Sequence, residues 1–479
     1  MARPDRLSAL DSAFLDLDTP AAPLHVGWTL RLDGDAPTLA ALRRHIDGRL
    51  DGLPRFRRRV VRPALGFGDP YWVDDASFDI ARHVQALTLA PPAGPGELRE
   101  LVGALLSRPL DPLRPLWRMV LIDGLAGGGF ALAGQVHHAL VDGIAAVEVG
   151  MLLFDGPMSA MPERWAPQPA PSPVAAAGAA ARDRVDRVLR GARAAARSLA
   201  HADADTVRAG ADVVRDAREA LSAISGPAPA TALNHTAGPE RLVAFAEASF
   251  DGVREAGRRH GATVNDVLLA ASAMALGRAL RRRGEHHGAI KALVPVNVRG
   301  DTDAGALGNR VSFLTADLPV DETDPVVVLR RVRAQTRARK AAGHGGLDAL
   351  VQAAELLPAN ARKVVVLAAV RMTAFNATVS NVPGPPVTLT LLGRPVTAIF
   401  PAIPILDGHA LSIGAISYRG RLQVCLFADA GIMADAVDVA REIEQAFDAL
   451  RVAPVPEPPP WRTRARTKRD ARREAAASR

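Results

Sequence analysis

A hydrophobic hairpin followed by a helix is the strongest pattern in the sequence. Leu116–Asp123 and Phe130–Val136 are two apolar runs of strand length, and Gly124–Gly129 between them contains three consecutive glycines, which suits a hairpin turn. Further along, apolar residues recur at the spacing of one helix face, namely Ile144, Val147, Met151 and Leu152. The pattern therefore predicts a strand-to-helix turn around residue 140, the kind of place where a rigid scaffold exposes side chains.

Similar strand and helix patterns occur in both halves of the chain. Strands are predicted at 25–32, 71–73, 78–84, 241–250, 290–296, 311–318, 377–380, 410–417 and 423–428, and helices at 38–50, 97–106, 252–260, 263–283, 325–342 and 435–450. Residues 1–156 and 240–453 are predicted to be two α/β domains. Residues 157–239 form a linker rich in Pro, Ala and Arg with a bridging helix at 174–224, and 454–479 is a disordered basic tail.

Composition and charge narrow the class of protein. The 48% hydrophobic and 23% charged residues are typical of a globular protein with a large core, and no apolar run reaches 18 residues. The N-terminus carries no apolar signal core, which predicts a cytoplasmic protein. The net charge is +8, but residues 461–479 hold eight Arg and Lys against Asp470 and Glu474, so the remaining chain carries only +2 (8 − 6). A nucleic-acid partner is not expected, because the positive charge lies mostly in a tail.

Two adjacent histidines, His137 and His138, stand in the predicted turn, and Asp142 and Gly143 follow them. Neighbouring side chains of a strand point to opposite faces, so one histidine faces a cleft and the other the interior, without indicating which. Imidazole titrates near neutrality and can take a proton from a hydroxyl and return it to a leaving group. Asp142 can orient this region, pair with an arginine or cap the helix.

Other chemistries find little support in the sequence. A metal site made of His137, His138 and Asp142 is disfavoured, because adjacent strand residues diverge and a His-Glu-x-x-His spacing is missing. Without a Gly-x-Ser-x-Gly elbow a serine hydrolase is not indicated, and without a Gly-rich phosphate loop nucleotide chemistry is not indicated. The single Cys425 is expected to be a core residue.

With these motifs in hand, the sequence resembles the bacterial wax ester synthase/acyl-CoA:diacylglycerol acyltransferase family. That family is similar in fold to chloramphenicol acetyltransferase and to peptide-synthesis condensation domains. His137–Gly143 alone indicates only this superfamily. The narrower resemblance rests on further segments that occur in order, namely Leu7–Asp11, Pro20–Val26, Pro115–Trp117, Val264–Val267, Leu307–Arg310 and Ser380–Pro385.

The resemblance implies an α/β fold of two chloramphenicol acetyltransferase-like domains with mixed sheets and an active-site tunnel between them. It implies that His138 is the general base, with His137, Asp142 and Gly143 supporting the motif. From the second domain, four residues are expected to approach the site, namely Asn265, Asp266, Ser380 and Asn381. No metal and no cofactor are expected, because acyl-CoA is a co-substrate.

The implied reaction is transfer of a long-chain acyl group from acyl-CoA to diacylglycerol or to a long-chain alcohol, without a covalent acyl-enzyme. Peripheral association with the inner face of the membrane or with lipid droplets is a further expectation, and the basic tail at 461–479 is its candidate tether. Two alternatives stay open. One is a condensation-type acyltransferase that uses a carrier-protein thioester, and the other is a catalytically silent lipid-binding protein of the same fold.

Overall fold

Two six-stranded mixed sheets and one three-stranded sheet build the described part of the protein. The computed structural model describes residues 5–63, 69–141, 143–156, 164–172, 228–297, 311–342 and 375–454, with isolated positions between 175 and 193. The strands are β1 (Asp5–Arg6), β2 (His25–Leu32), β3 (Arg58–Val61), β4 (Tyr71–Asp74), β5 (Val84–Ala93), β6 (Trp117–Leu125), β7 (Phe130–His137), β8 (Arg241–Ser249), β9 (Ile290–Asn297), β10 (Val311–Leu318), β11 (Ala377–Val382), β12 (Thr390–Leu391), β13 (Arg394–Ala402), β14 (Leu411–Tyr418) and β15 (Arg421–Asp429).

Helices cover the sheets. They are α1 (Ala9–Leu17), α2 (Leu39–Arg49), α3 (Ile80–His83), α4 (Pro95–Leu106), α5 (Gly143–Leu153), α6 (Phe250–His260), α7 (Val264–Arg282), α8 (Pro325–Ala342) and α9 (Ala436–Val452). Among the described residues, no helix combines the length and the apolar character needed to cross a membrane.

The first sheet has the strand order β12-β13-β2-β7-β6-β5, and β5 with β6 is its parallel pair. The glycine-containing hairpin is confirmed as β6 and β7, which pair antiparallel. Strand β7 is buried along its whole length, because α2 and α5 cover one face and the second half of the chain covers the other. Its last residue, His137, lies opposite His25, the first residue of β2.

The second sheet has the order β10-β9-β11-β14-β15-β8. Strand β11 runs parallel to both of its neighbours, whereas the other pairs are antiparallel. Helices α7 and α9 pack on this sheet around a second apolar core. Helix α7 is buried almost all round, so its continuous apolar sequence reflects a central position in the core.

The two halves of the chain interlock through β13. Although β13 lies in the C-terminal half of the sequence, it pairs with β2 from Ala402 opposite Gly27 to Val396 opposite Leu32. A shared apolar layer between the sheets then joins α4 to residues such as Phe400 and Cys425. Cys425 is a buried core residue, as expected. The expected α/β architecture with mixed sheets is confirmed.

One predicted strand is wrong. Residues 78–84 do not form a strand, because the Asp79 side chain accepts the N–H of Ala81 and starts the short helix α3 instead. The strand of this region, β5, begins only at Val84. The predicted bridging helix at 174–224 falls almost wholly outside the described residues, and so does the tail from residue 455 onward.

Candidate active site

The turn that follows β7 is pinned by backbone hydrogen bonds. The N–H of His137 donates to Leu116 O at 2.9 Å, and the N–H of His138 donates to Leu24 O at 2.9 Å. Within the turn, the N–H of Leu140 donates to His137 O at 2.8 Å. Because both flanking strands hold this turn, the backbone of the two histidines has a fixed position.

The ring of His137 is buried and has a defined tautomer. Its Nδ1 accepts the N–H of Ala139 at 3.0 Å, so Nδ1 carries no proton and the neutral ring carries its proton on Nε2. That Nε2 lies 3.6 Å from Oδ2 of Asp18, a distance somewhat longer than a hydrogen bond. With its side chain only 1% exposed, His137 faces the interior.

Asp18 connects the two strands at this point. Its Oδ1 accepts the N–H of Leu24 at 2.9 Å, and the carbonyl of Leu24 in turn accepts the N–H of His138. Burial raises the pKa of the Asp18 carboxyl, but the attraction of His137 and the Leu24 N–H outweigh it, so its pKa lies below the ordinary value. The charged carboxylate therefore holds both the start of β2 and the His137 ring.

His25 packs against His137 as its partner in the sheet. The two ring centroids are 5.6 Å apart in an edge-on arrangement. Burial lowers the pKa of His25 to about 3, so this ring is neutral near pH 7. Among the described residues, its Nδ1 has no hydrogen-bond partner.

Asp18, His25 and His137 together place three metal-ligating atoms within 4.8 Å of one another. The tautomer of His137 argues against a resident cation there. A metal ion would need the lone pair of Nε2, which already carries the ring proton while Nδ1 accepts from Ala139. The arrangement suits an Asp-His pair better than a metal ion.

His138 is the more accessible of the two histidines. It follows the last residue of β7, is half-buried, and stacks on Phe14 of α1 with a centroid distance of 4.0 Å and an interplanar angle of 21°. Its backbone is pinned while its ring packs on one face against Phe14. The chain thus presents one buried, engaged imidazole and one partly accessible imidazole side by side.

An apolar cavity of about 120 Å³ lies beside the turn. Val136 and Val141, on either side of the two histidines, both line it. Its other lining residues are apolar or glycine, namely Val26, Gly27, Trp28, Leu30, Phe56, Trp117, Met119, Val147, Val149, Gly150, Leu153, Phe154, Val382, Pro385, Leu389, Ile399, Pro401, Ile403 and Ile416. We call this space the apolar cavity.

The remaining predicted residues fall into three groups. Ser380 and Asn381 lie in β11 directly before its last residue, Val382, which lines the apolar cavity together with Val136 and Val141 of the histidine turn. Asp142 lies outside the described residues, and Gly143 is the first residue of α5.

Asn265 and Asp266 open helix α7. Asp266 accepts the N–H and the hydroxyl of Thr263, both at 2.8 Å, and its other oxygen accepts the hydroxyl of Thr336 at 2.6 Å. The Asp266 N–H in turn donates to Thr263 Oγ1 at 3.2 Å, which completes a capping box, so the described contacts of this carboxylate are structural. Asn265 is half-buried beside it.

Sequence reasoning missed Asp18, His25 and Phe14 as members of the site. The segments 7–11 and 20–26 pointed to this part of the chain, but Asp18 and Phe14 lie between them. The position of His25 at the start of a predicted strand gave no sign of its partner. Only the pairing of β2 with β7 brings these side chains to the histidines.

The fold defines a class of protein. It is similar to the wax ester synthase/diacylglycerol acyltransferase from Marinobacter aquaeolei VT8, with a TM-score of 0.65, 23% identity, and coverage of 94% of this chain and 99% of that chain. It is also similar to the first condensation domain of the calcium-dependent antibiotic synthetase, with a TM-score of 0.59, 16% identity, and coverage of 94% and 97%. The chain thus has the two-sheet α/β fold that these proteins share.

Sequence comparison identifies the family within this class. The wax ester synthase/diacylglycerol acyltransferase catalytic domain matches residues 7–268, and the C-terminal domain of the same family matches residues 307–451. A Mycobacterium tuberculosis H37Rv protein named probable diacylglycerol O-acyltransferase tgs1 is 32% identical over 457 residues, which cover 93% of this chain and 96% of that protein. The chain therefore belongs to the wax ester synthase/diacylglycerol acyltransferase family, and it is an acyltransferase.

Proposed function

We propose that the protein transfers a long-chain acyl group from acyl-CoA to the free hydroxyl of diacylglycerol, with a long-chain alcohol as a second acceptor. One observation carries the proposal. A partly accessible histidine, His138, stands on a pinned turn between Val136 and Val141, which both line an apolar cavity. A proton acceptor next to a space for hydrocarbon is what O-acylation of a lipid needs.

In the proposed reaction, His138 is the general base. It takes the proton of the acceptor hydroxyl while that oxygen attacks the thioester carbonyl carbon. The tetrahedral intermediate then collapses, the carbon–sulfur bond breaks, and the imidazolium returns the proton to the CoA thiolate. The products are an ester and free CoA, no acyl-enzyme forms, and no cofactor takes part.

The relatives support this choice of substrates. The tgs1 relative is named a diacylglycerol O-acyltransferase, and the Marinobacter protein is named a wax ester synthase/diacylglycerol acyltransferase. We further propose that Ser380 and Asn381 contact the reacting groups from the second half of the chain, because Val382 beside them lines the apolar cavity. Asn265 and Asp266 are proposed to act through the position of α7.

The test uses purified protein with palmitoyl-CoA and, in parallel, diacylglycerol or hexadecanol, following triacylglycerol, wax ester and CoA. We expect ester and CoA to form together without any carrier protein. His138→Ala should lower turnover by about 10²- to 10⁴-fold, because general-base catalysis contributes about that much. Near-normal turnover in a folded His138→Ala protein would contradict the mechanism.

The same assay separates the two alternatives. Activity only with a carrier-protein thioester would identify a condensation-type acyltransferase. Binding of fatty ligands without release of CoA would identify a lipid-binding protein. We also propose that the enzyme works at the cytoplasmic face of a membrane or on lipid droplets, where both lipids are available.

A further inference from the structure

We infer that Gly150 determines specificity for the length of a substrate chain. The space left by its missing side chain admits part of a substrate hydrocarbon chain into the apolar cavity. This inference rests on the proposed function, since it names the part of the substrate that the cavity receives. Gly150 lies within helix α5, and Val149 and Leu153 of the same helix also line the cavity.

Two other glycines within helices, Gly103 and Gly277, have a packing reason that Gly150 lacks. A Cβ on Gly103 of α4 would lie 2.6 Å from the backbone oxygen of Arg241. A Cβ on Gly277 of α7 would lie 2.3 Å from the backbone oxygen of Val320. At those positions only glycine lets helix and neighbouring backbone approach so closely.

A Cβ on Gly150, by contrast, would meet no heavy atom of the described residues within 4 Å. Glycine is among the least favourable residues inside a helix, and Gly150, unlike the exposed Gly48, is partly buried and lines a cavity. Neither a left-handed backbone angle nor a close neighbour accounts for glycine at this position. The remaining feature of the position is that it borders the apolar cavity, and a larger residue would project into that space.

The size and lining of the cavity suit part of a hydrocarbon chain. Its volume of about 120 Å³ is close to that of an engineered apolar cavity of roughly 150 Å³ that binds benzene. The cavity therefore holds a segment of about six carbons. Because Val136 and Val141 flank the histidine turn, a chain in the cavity lies next to that turn.

The experiment compares Gly150→Leu and Gly150→Ala with the unchanged enzyme. One series varies the acyl-CoA from eight to eighteen carbons with a fixed acceptor, and a second varies the length of the alcohol acceptor with fixed palmitoyl-CoA. Each buried methylene changes binding about fourfold. Displacing two or three methylenes should raise KM for the longest chains roughly 15- to 60-fold in Gly150→Leu, with little change for the shortest, and Gly150→Ala should lie between.

Gly48 provides the matched control. It lies in helix α2, is exposed, and its Cβ would also meet no described atom within 4 Å. Gly48→Leu makes the same change in a helix that faces solvent there, so its chain-length profile should equal that of the unchanged enzyme.

A shift in the acyl-CoA series assigns the cavity to the acyl donor, and a shift in the acceptor series assigns it to the alcohol. An unchanged profile, or an equal loss at every chain length in a folded variant, overturns the inference.

Displacement of the fluorescent fatty acid cis-parinaric acid by fatty acids of increasing length provides a readout without catalysis. If the unchanged enzyme transfers no acyl group, the proposed function fails. Weaker binding of long chains by Gly150→Leu than by Gly48→Leu would then still support the cavity assignment.

Discussion

At the scale of single residues, the two adjacent histidines have different environments. His137 is buried between Asp18 and the backbone of Ala139, whereas His138 stacks on Phe14 and remains partly accessible. The first histidine therefore packs inside the turn, and the second is the one that we propose as the general base. The sequence predicted the pair and its turn, because those signals are local. It did not predict Asp18, because that contact depends on how β2 and β7 align.

We predict that Asp18→Asn lowers kcat about 10- to 100-fold with little change in KM. The loss corresponds to about 1.5–3 kcal/mol, the usual contribution of a hydrogen bond to a charged group. Its physical cause is a poorly held His137 ring and a shifted turn, so Asp18→Glu should restore part of the activity. Steady-state kinetics with palmitoyl-CoA measure both parameters.

The control for this change is Asp16→Asn. Asp16 lies two residues before Asp18, within α1, and pairs with Arg62 at 2.9 Å. The kcat of the Asp16→Asn variant should stay near that of the unchanged enzyme. Equal effects of the two substitutions would refute the positioning role of Asp18.

His25 should make the protein less stable in mild acid. Its pKa is about 3 when folded, whereas an unfolded histidine titrates near 6.5, so the unfolded chain binds a proton that the folded chain does not. Stability is therefore lost as the pH falls from about 6.5 toward 3, by about 1.4 kcal/mol per pH unit in the middle of that window. His25→Gln should show a shallower dependence in urea unfolding at pH 5 to 6. Parallel curves for the two proteins would show that His25 does not titrate in this way.

At the scale of elements, helix α4 joins the two halves of the molecule. Gly103 brings it against the backbone of Arg241 in β8, and Leu98, Val102 and Leu106 fill the apolar layer between the sheets. The helix itself could be predicted from its apolar spacing. Its contact with β8 could not, because nothing local in either segment encodes the other.

Gly103→Ala should destabilise the protein by about 1–3 kcal/mol, the usual cost of overpacking a tight contact. The new methyl group would lie 2.6 Å from a backbone oxygen that cannot easily move. Urea unfolding gives the free energy directly. Gly96→Ala in the same helix is the control, because the nearest atom to its Cβ is the flexible end of Arg99 at 4.0 Å. A stability of Gly103→Ala equal to that of the control would show that helix and strand can separate freely.

At the scale of the whole molecule, charge is unevenly distributed. The segment 461–479 carries a net charge of +6 and lies outside the described residues. Each basic residue near an anionic membrane contributes about 1 kcal/mol of binding. Deleting 461–479 should therefore weaken binding to vesicles containing phosphatidylglycerol at low salt by at least about 10-fold, while turnover of short, dispersed substrates stays unchanged. Vesicle sedimentation provides the measurement, and undiminished binding would rule out the tail as a tether.

At this scale, one segment of the predicted C-terminal α/β unit pairs with the N-terminal unit. Patterns along the chain place 390–402 in the second unit, yet β12 and β13 complete the first sheet. Strand pairing between distant segments depends on the assembled fold, so a local reading does not find it.

The position of β13 has a consequence for folding while the protein is being synthesised on the ribosome. Until residue 402 has been synthesised, β2 is the open edge of a sheet whose histidine turn is already complete. At about 5–20 residues per second, the interval from His137 to Ala402 lasts roughly 15–50 s. Throughout that time an apolar strand edge is available for pairing with another nascent chain. The two halves are therefore expected to need each other during synthesis, and the demand for chaperones should be greatest just before β13 emerges.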